Sequence, residues 1–595
     1  MTSHNQNMPA PLHYRIEIGS LHAHLFRVTL TIEQPAAQQR VALPVWIPGS
    51  YLVREFAKNL QCLQARQGRT LLTVAQLDKC SWQIACSPAE ALVLSYDVYA
   101  HDNSVRSAWL DADRGFFNGT SVCLKVEGWE AASHVLELPA SSPVAGWLVA
   151  TGLTPQAVDA QGCGSYVAAD YDELVDCPVE FGLFWSGGFT ACGVPHRFVV
   201  AGAAPGFDGE RLLTDAQKIC ETEIRFWHGA EKPPFENYLF MLNAVDDGYG
   251  GLEHRNSTAL ICSRKDLPRL GEANAPEGYT TLQGLISHEY FHAWNVKRLR
   301  PAEFESYRYD RENYTGLLWF FEGFTSYYDD LLLRRAGRVD NAAYLKLLTK
   351  TINQVLQAPG RLVQSVSEAS FDAWVKYYRP DENTPNATVS YYAKGALVAL
   401  CLDLTLRAEG NGATLDDAMR GLWRACRAGP LREADVADAL QVAGRRSFAP
   451  ELADWVHGRG ELPLKQLLEQ HGVAVLAEPA QLAQRLGLRV TETQGVRIKT
   501  VLRGGAAEQA GFAAGDEWLG LEEPAGAAAA TGWRISRLDD LPLYAGTAEK
   551  VIALVARDKR LLRLALTLPP AQTTWRLAVK DAALLDPWLE APTRP

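Results

Sequence analysis

Residues 284–299 read GLISHEYFHAWNVKRL and place His288 and His292 four positions apart, with Glu289 directly after the first histidine. On a helix, positions i and i+4 share a face, so two imidazoles there could hold one cation. Glu289 lies about 100° around the axis from His288. From there it could reach a water on the metal without becoming a ligand. Two ligands and a general base from one helical turn is the arrangement that suits zinc hydrolysis. Leu282, Leu285 and Ile286 give the preceding turns an apolar side, which fits a buried helix. The plain alternative is a satisfied pair of core histidines.

A metal site needs a third ligand. The third histidine of an HExxHxxGxxH pattern is absent, because the relevant positions hold Asn295 and Arg298. Residues 317–330, LLWFFEGFTSYYDD, offer Glu322 instead. A carboxylate flanked by Trp319, Phe320, Phe321 and Phe324 is expected to be paired or bound to metal. An internal salt bridge is the competing role. Asp329, seven residues on, returns to the Glu322 face and could accept the free N–H of a ligating histidine.

The rest of the chain must position these groups. Its 595 residues exceed what one hydrophobic core supports, so three or four domains are expected. Hydrophobic residues at 47% and charged residues at 21% describe an ordinary globular protein. A net charge of -11 argues against a nucleic-acid partner, since no basic surplus exists to neutralise phosphates. The N-terminus, MTSHNQNMPAPLHYRIEIGS, lacks the basic start and apolar run of a secretory signal. No apolar stretch reaches the length of a membrane span. The eleven cysteines are scattered singly, with no CxxC pair, as expected of reduced thiols in a cytoplasmic protein.

About 170 residues at the start read as β-rich: HYRIEI, HLFRVTLTI, RVALPVWI, ALVLSYDVYA and HVLELP alternate or are β-branched. A sandwich-like domain is the economical reading. HRFVVAG, NYLFMLNAV and STALICS are further strands, with a helix through DAQKICETEIRFWHG. Helices then dominate from Thr280 to about Gln470, an α+β pattern. In the tail, LGLRV, GVRIKTVL and LLRLALTL read as short strands, and TAEKVIALVARD reads as one amphipathic helix. PAGAAAATG, near Ala527, reads as a surface loop.

HEYFHAW with FFEGFTSYY resembles the HExxHxW and NEGF pairing of the gluzincin aminopeptidases. GGLEH, residues 250–254, is similar to their GxMEN exopeptidase motif, and YYAKG, residues 391–395, to the YEKG segment with their catalytic tyrosine. PVWIPGSYLVREF, the longer HEYFHAWNVKRLRP and the tail together resemble the glycyl aminopeptidase family of PDZ-containing zinc peptidases. Departures exist. Twenty-nine residues separate His292 from Glu322, more than in the better-known gluzincins, and this insertion, with RPAEFESYRYDRENY, is expected beside the site. GGLEH also has Leu252 and His254 where the motif has Met and Asn.

The resemblance implies a β-sandwich-like domain over residues 1–175, a thermolysin-like catalytic domain over 176–472 and a PDZ domain over 473–580. It implies one zinc ion held by His288, His292 and Glu322, with Glu289 as general base. Tyr392, or its neighbour Tyr391, would donate to the oxyanion. Glu253 would bind the substrate's free α-ammonium group, and Gly250 and Gly251 would let the backbone approach the substrate strand. A structural ion pair with Arg255 is the other role open to Glu253. Small N-terminal residues, glycine and alanine, are the implied preference. GGAAEQAGFAAGDEWLGL and RLGLRV resemble bacterial PDZ segments, which add a peptide to a sheet edge; a purely packing role is the alternative. Two other functions remain open from sequence: an endopeptidase on the same centre, and an inactive PDZ scaffold.

Overall fold

The computed structural model of the chain describes residues 12–140, 144, 146–522 and 531–590; the alanine-rich segment near Ala527 lies outside them. The chain divides into two compact units. One comprises Met1–Asn313, Arg335–Arg338 and Trp423–Leu431, and the other Tyr314–Arg334, Val339–Leu422 and Arg432–Pro595. No helix among the described residues is long and apolar enough to cross a membrane.

The first unit begins β-rich, as expected. Its eight-stranded sheet is centred on Leu12–Ser20 and Leu25–Ile32, which pair antiparallel with Tyr14 opposite Leu30. Buried and half-exposed residues alternate along both strands, the period-2 signature that the sequence carries. Tyr14, Phe26 and Leu30 share one core with Ile84, Phe116 and Phe117 from two four-stranded sheets.

A five-stranded sheet follows in the order Trp185–Ala191, Val194–Ala201, Tyr238–Val245, Ser257–Ser263, Tyr249–Glu253. Its three inner strands are parallel. Tyr238–Val245 is buried almost throughout, as an inner parallel strand should be. The last strand, Tyr249–Glu253, is an antiparallel edge with Gly251 opposite Leu260.

Two long helices are the main ones of this unit, α1 (Gly209–His228) and α2 (Glu277–Phe291). Polar side chains of α2 fix its roll. Tyr279 and Gln283 both donate to Asp215 Oδ2 at 3.1 Å, and Ser287 donates to Glu223 Oε1 at 2.9 Å. The Tyr290 hydroxyl meets His196 Nε2 at 2.8 Å. These bonds occupy the buried side, so His288 is left only half-buried.

The second unit is helical and then β-rich. Its main helices are α3 (Leu318–Arg335), α4 (Asn341–Leu356) and α5 (Tyr391–Ala408). An open six-stranded sheet comes next: Leu488–Thr491, Val496–Val501, Glu517–Glu522, Lys550–Arg557 and Arg560–Thr567 in that order, with Gly532–Arg534 also paired to Glu517–Glu522. Lys550–Arg557 corrects the expected helix over TAEKVIALVARD. It is a strand bonded on both sides, and its Val551, Ala553 and Val555 face the core. A continuous apolar run rich in β-branched residues suits either element in isolation, and two neighbouring strands decide it.

The chain then returns to the helices. The strand Thr573–Val579 is bolted to α4 by Asn353, which donates to Trp575 O at 2.8 Å and accepts from Trp575 N at 3.1 Å. A last helix, α6 (Ala582–Leu589), buries Trp588 completely. Trp588 Nε1 donates to the Tyr327 hydroxyl on α3 at 3.0 Å, and that hydroxyl donates to Asp403 on α5 at 2.6 Å.

Trp588→Ala removes a fully buried ring and the donor of this chain, and should cost about 3–5 kcal/mol. Chemical denaturation of the full chain reads this directly; a loss under 1 kcal/mol would exclude it. Acid should act through two buried histidines. Burial pushes His134 and His196 from the ordinary 6.5 down to about 4. The unfolded chain therefore binds protons that the folded chain refuses, so stability present above pH 6.5 falls away as pH drops through 4. The urea midpoint should decline between pH 7 and pH 5, and a constant midpoint would count against it.

Candidate active site

Helix α2 ends at Phe291, and His292 is its C-cap residue, still in helical backbone geometry. The i, i+4 relation therefore holds, and the two Nε2 atoms lie 3.1 Å apart. His292 Nδ1 sits 2.7 Å from the carbonyl of Asn295. That carbonyl can only accept, so the Nδ1 carries the proton and Nε2 presents a lone pair. One ligand atom from each of His288, His292 and Glu322 lies within 4.8 Å of the other two, and no other such group is found among the described residues. Two imidazole nitrogens and a carboxylate converging in a mostly buried place is a donor set that suits zinc. His292 and Glu322 are each 2% exposed.

Two glycines explain how Glu322 is presented. A Cβ on Gly323 would come within 2.5 Å of Gly395 Cα, and one on Gly395 within 2.5 Å of Trp319 O. Helices α3 and α5 thus touch backbone to backbone, at the residue after Glu322 and three residues after Tyr392. The YxKG and EGF patterns share this crossing as their physical reason.

Tyr392 is half-buried near the start of α5. Burial and the Glu322 carboxylate raise its hydroxyl well above the ordinary value, so the proton stays on and can be donated. Its ring packs on Tyr391 at 4.7 Å and Tyr377 at 5.4 Å, and its hydroxyl lies 3.4 Å from that of Tyr378. Burial and Glu322 raise Tyr377 as well. Sequence reasoning missed Tyr377 and Tyr378, for which the only signal is the doublet itself. Asp329 is half-buried on α3.

Glu253 ends the edge strand and is 4% exposed. Its Oε1 is buried with no hydrogen-bond partner. No ion pair to Arg255 forms, and Arg255 is exposed. Lys297, a buried cation whose charge interacts with that of Glu253, is engaged elsewhere: its Nζ bonds Asp176 Oδ1 at 2.6 Å. His254 Nδ1 lies 3.1 Å from that same oxygen, and Arg255 N donates to Asp176 Oδ2 at 3.0 Å. Burial alone would raise the Asp176 carboxyl, but Lys297 and His254 hold it far below the carboxylate range. Burial works against the Lys297 ammonium, which Asp176, Tyr307 and Glu253 more than offset. Arg298 donates to the carbonyls of Ala293, Arg255 and Pro234. The NVKR stretch after the second histidine therefore ties the metal helix to the strand end that carries Glu253.

Gly251 lies against the general-base candidate, since a Cβ there would collide with the Glu289 carboxylate. Glu289 is 5% exposed. Gly250 approaches the Arg106 guanidinium, which donates to Gly251 O at 3.3 Å. The insertion before Glu322 is held by the β-rich part of the same unit. Trp46 Nε1 donates to Arg308 O and Val45 N to Tyr309 O, both at 2.8 Å.

Residues 281–398 match the family model of the M61 glycyl aminopeptidase, and residues 13–183 that of the Peptidase M61 N-terminal domain. The crystal structure of an aminopeptidase N family protein from Idiomarina loihiensis is 37% identical, covers 97% of this chain and 100% of its own, and superposes with a TM-score of 0.91. The chain belongs to the M61 glycyl aminopeptidase family. This M61 chain is a metallo-aminopeptidase. An M1 zinc metallopeptidase from Deinococcus radiodurans is 15% identical over 76% of this chain and 94% of its own, with a TM-score of 0.46. No curated protein matches the sequence.

The glycine crossing yields an expectation. Gly323→Val should separate α3 from α5 and lower zinc affinity about 10- to 100-fold, the range typical of disturbed metal supports. Competition with a chelator measures it, and wild-type affinity would rule the crossing out as a support.

Proposed function

We propose that this M61 peptidase removes single amino-terminal residues, small ones such as glycine and alanine, from peptides, using one zinc ion held by His288, His292 and Glu322. The observation that carries the exopeptidase reading is the buried Glu253 carboxylate with an unpartnered oxygen beside a lysine committed to Asp176. A desolvated anion of this kind calls for a cation, and a peptide's terminal ammonium supplies one.

Zinc bound there would supply Lewis-acid polarisation of the scissile carbonyl and an acidified water. The protein's own groups do the rest. Glu253 takes the ammonium and so places the first peptide bond in reach. Gly250 and Gly251, on the edge strand, let a substrate strand lie alongside. Glu289 accepts the attacking water's proton and passes it to the leaving amine nitrogen. Tyr392 donates its hydroxyl proton in a hydrogen bond to the developing oxyanion. Asp329 orients a ligating histidine.

The functional parts are residues 1–175, 176–472 and 473–580, with a PDZ fold in the last. In support, the strand Leu488–Thr491 is a sheet edge, and a cavity of about 810 Å³ lined by Leu488, Val490, Leu502 and Leu538 lies beside it. That is room for an extended peptide. A cytoplasmic location fits the eleven singly scattered cysteines.

A free and an N-acetylated glycyl peptide test the reading. Release of glycine from the free peptide alone is expected, and equal cleavage of both would make the enzyme an endopeptidase. Glu289→Gln should retain zinc and lose turnover by about 100- to 10,000-fold. Glu253→Ala should raise KM for the free peptide, and an unchanged KM would overturn the ammonium assignment.

A further inference from the structure

The turn at residues 47–50 belongs to the PVWIPGSYLVREF stretch of the β-rich part. Ser50 N donates to Ile47 O at 3.0 Å, and Gly49 sits at φ 91°. A Cβ on Gly49 would stand 2.5 Å from both oxygens of the Glu253 carboxylate. The carboxylate therefore lies flat against Gly49, in the volume that any other side chain would occupy.

Neighbouring contacts hold this turn in place. Val45 and Trp46 are bonded to the insertion at Tyr309 O and Arg308 O, and the Tyr51 ring lies 6.0 Å from Phe304. The turn is thus a fixed floor under a charged group that forms no salt bridge among the described residues and keeps one unpartnered oxygen.

We propose that Gly49 is a positioning residue that sets the depth of the Glu253 carboxylate, and with it the place where a substrate's ammonium group comes to rest. The inference rests on the ammonium role of Glu253. A β-rich segment remote in sequence from the catalytic helices then helps to measure off one residue from the amino terminus. A methyl at position 49 would push the carboxylate towards the substrate and misplace the ammonium.

The test uses the full-length zinc enzyme and Gly-Xaa peptides. Gly49→Ala should raise KM about 10- to 100-fold, the scale of an ångström-sized misplacement, with a much smaller change in kcat. Glu253→Asp, one methylene shorter, should also raise KM. Combined, the two should give a KM below that of Gly49→Ala alone, because the shorter carboxylate clears the methyl. Such relief is non-additive, and backbone strain at φ 91° cannot produce it. An unchanged KM in Gly49→Ala, or effects that simply multiply, would overturn the proposal. Should Gly49→Ala fail to fold, Gly49→Asn carries the same Cβ on the residue type most tolerant of positive φ. Glu253→Ala separates the two layers. If it leaves KM unchanged, the ammonium site itself is misassigned; if it raises KM while Gly49→Ala does not, only the role of Gly49 is wrong.

Discussion

An anion buried beside a cation that belongs to another anion is the constraint around which the first unit is arranged. Glu253 and Lys297 are close enough for their charges to interact, yet Lys297 bonds Asp176. Removing a carboxylate from water without a partner is costly. The cost is held in place by ordinary bonds nearby. Asp176 also takes His254 and the Arg255 amide, so it cannot release Lys297 cheaply. Arg298 pins the same loop through three carbonyls. The carboxylate is thus surrounded by segments tied to one another through Asp176 and Arg298.

The metal side follows a different logic. Its ligands sit on helices whose faces are settled by packing rather than by charge. Tyr279, Gln283, Ser287 and Tyr290 turn α2 towards α1 and the five-stranded sheet. The glycine contact between α3 and α5 leaves no room for either helix to slide. In the proposed site, shape would place the ligands, and charge would place the ammonium receptor.

Much of this was legible in the sequence, and the legible parts share a cause. His288, Glu289 and His292 stand out because a helix repeats every 3.6 residues. Glu322 stands out because a lone carboxylate among aromatic rings needs a reason. The β-rich start carries period-2 alternation. What escaped the sequence has no residue-type signal. The partner of His292 is a backbone carbonyl, which any residue at position 295 would supply. The apposition of Gly49 and Glu253 joins segments far apart in the chain. Tyr377 and Tyr378 carry no signal beyond their doublet until the fold sets the Tyr377 ring against Tyr391 and Tyr392 and the Tyr378 hydroxyl 3.4 Å from that of Tyr392. KVIALVAR, within TAEKVIALVARD, was misread because its apolar run fits both periods and only its neighbours choose.

The return of α6 to the helices has a consequence for synthesis. Trp588 and Tyr327 are 261 residues apart, yet their side chains share a buried bond. As the chain emerges from the ribosome, α3 forms early with Tyr327 and Asp403 still lacking their last neighbour. Its packing closes only after Trp588 has been made. The helix that carries Glu322 therefore gains its last buried hydrogen bond only after residue 588 has been made.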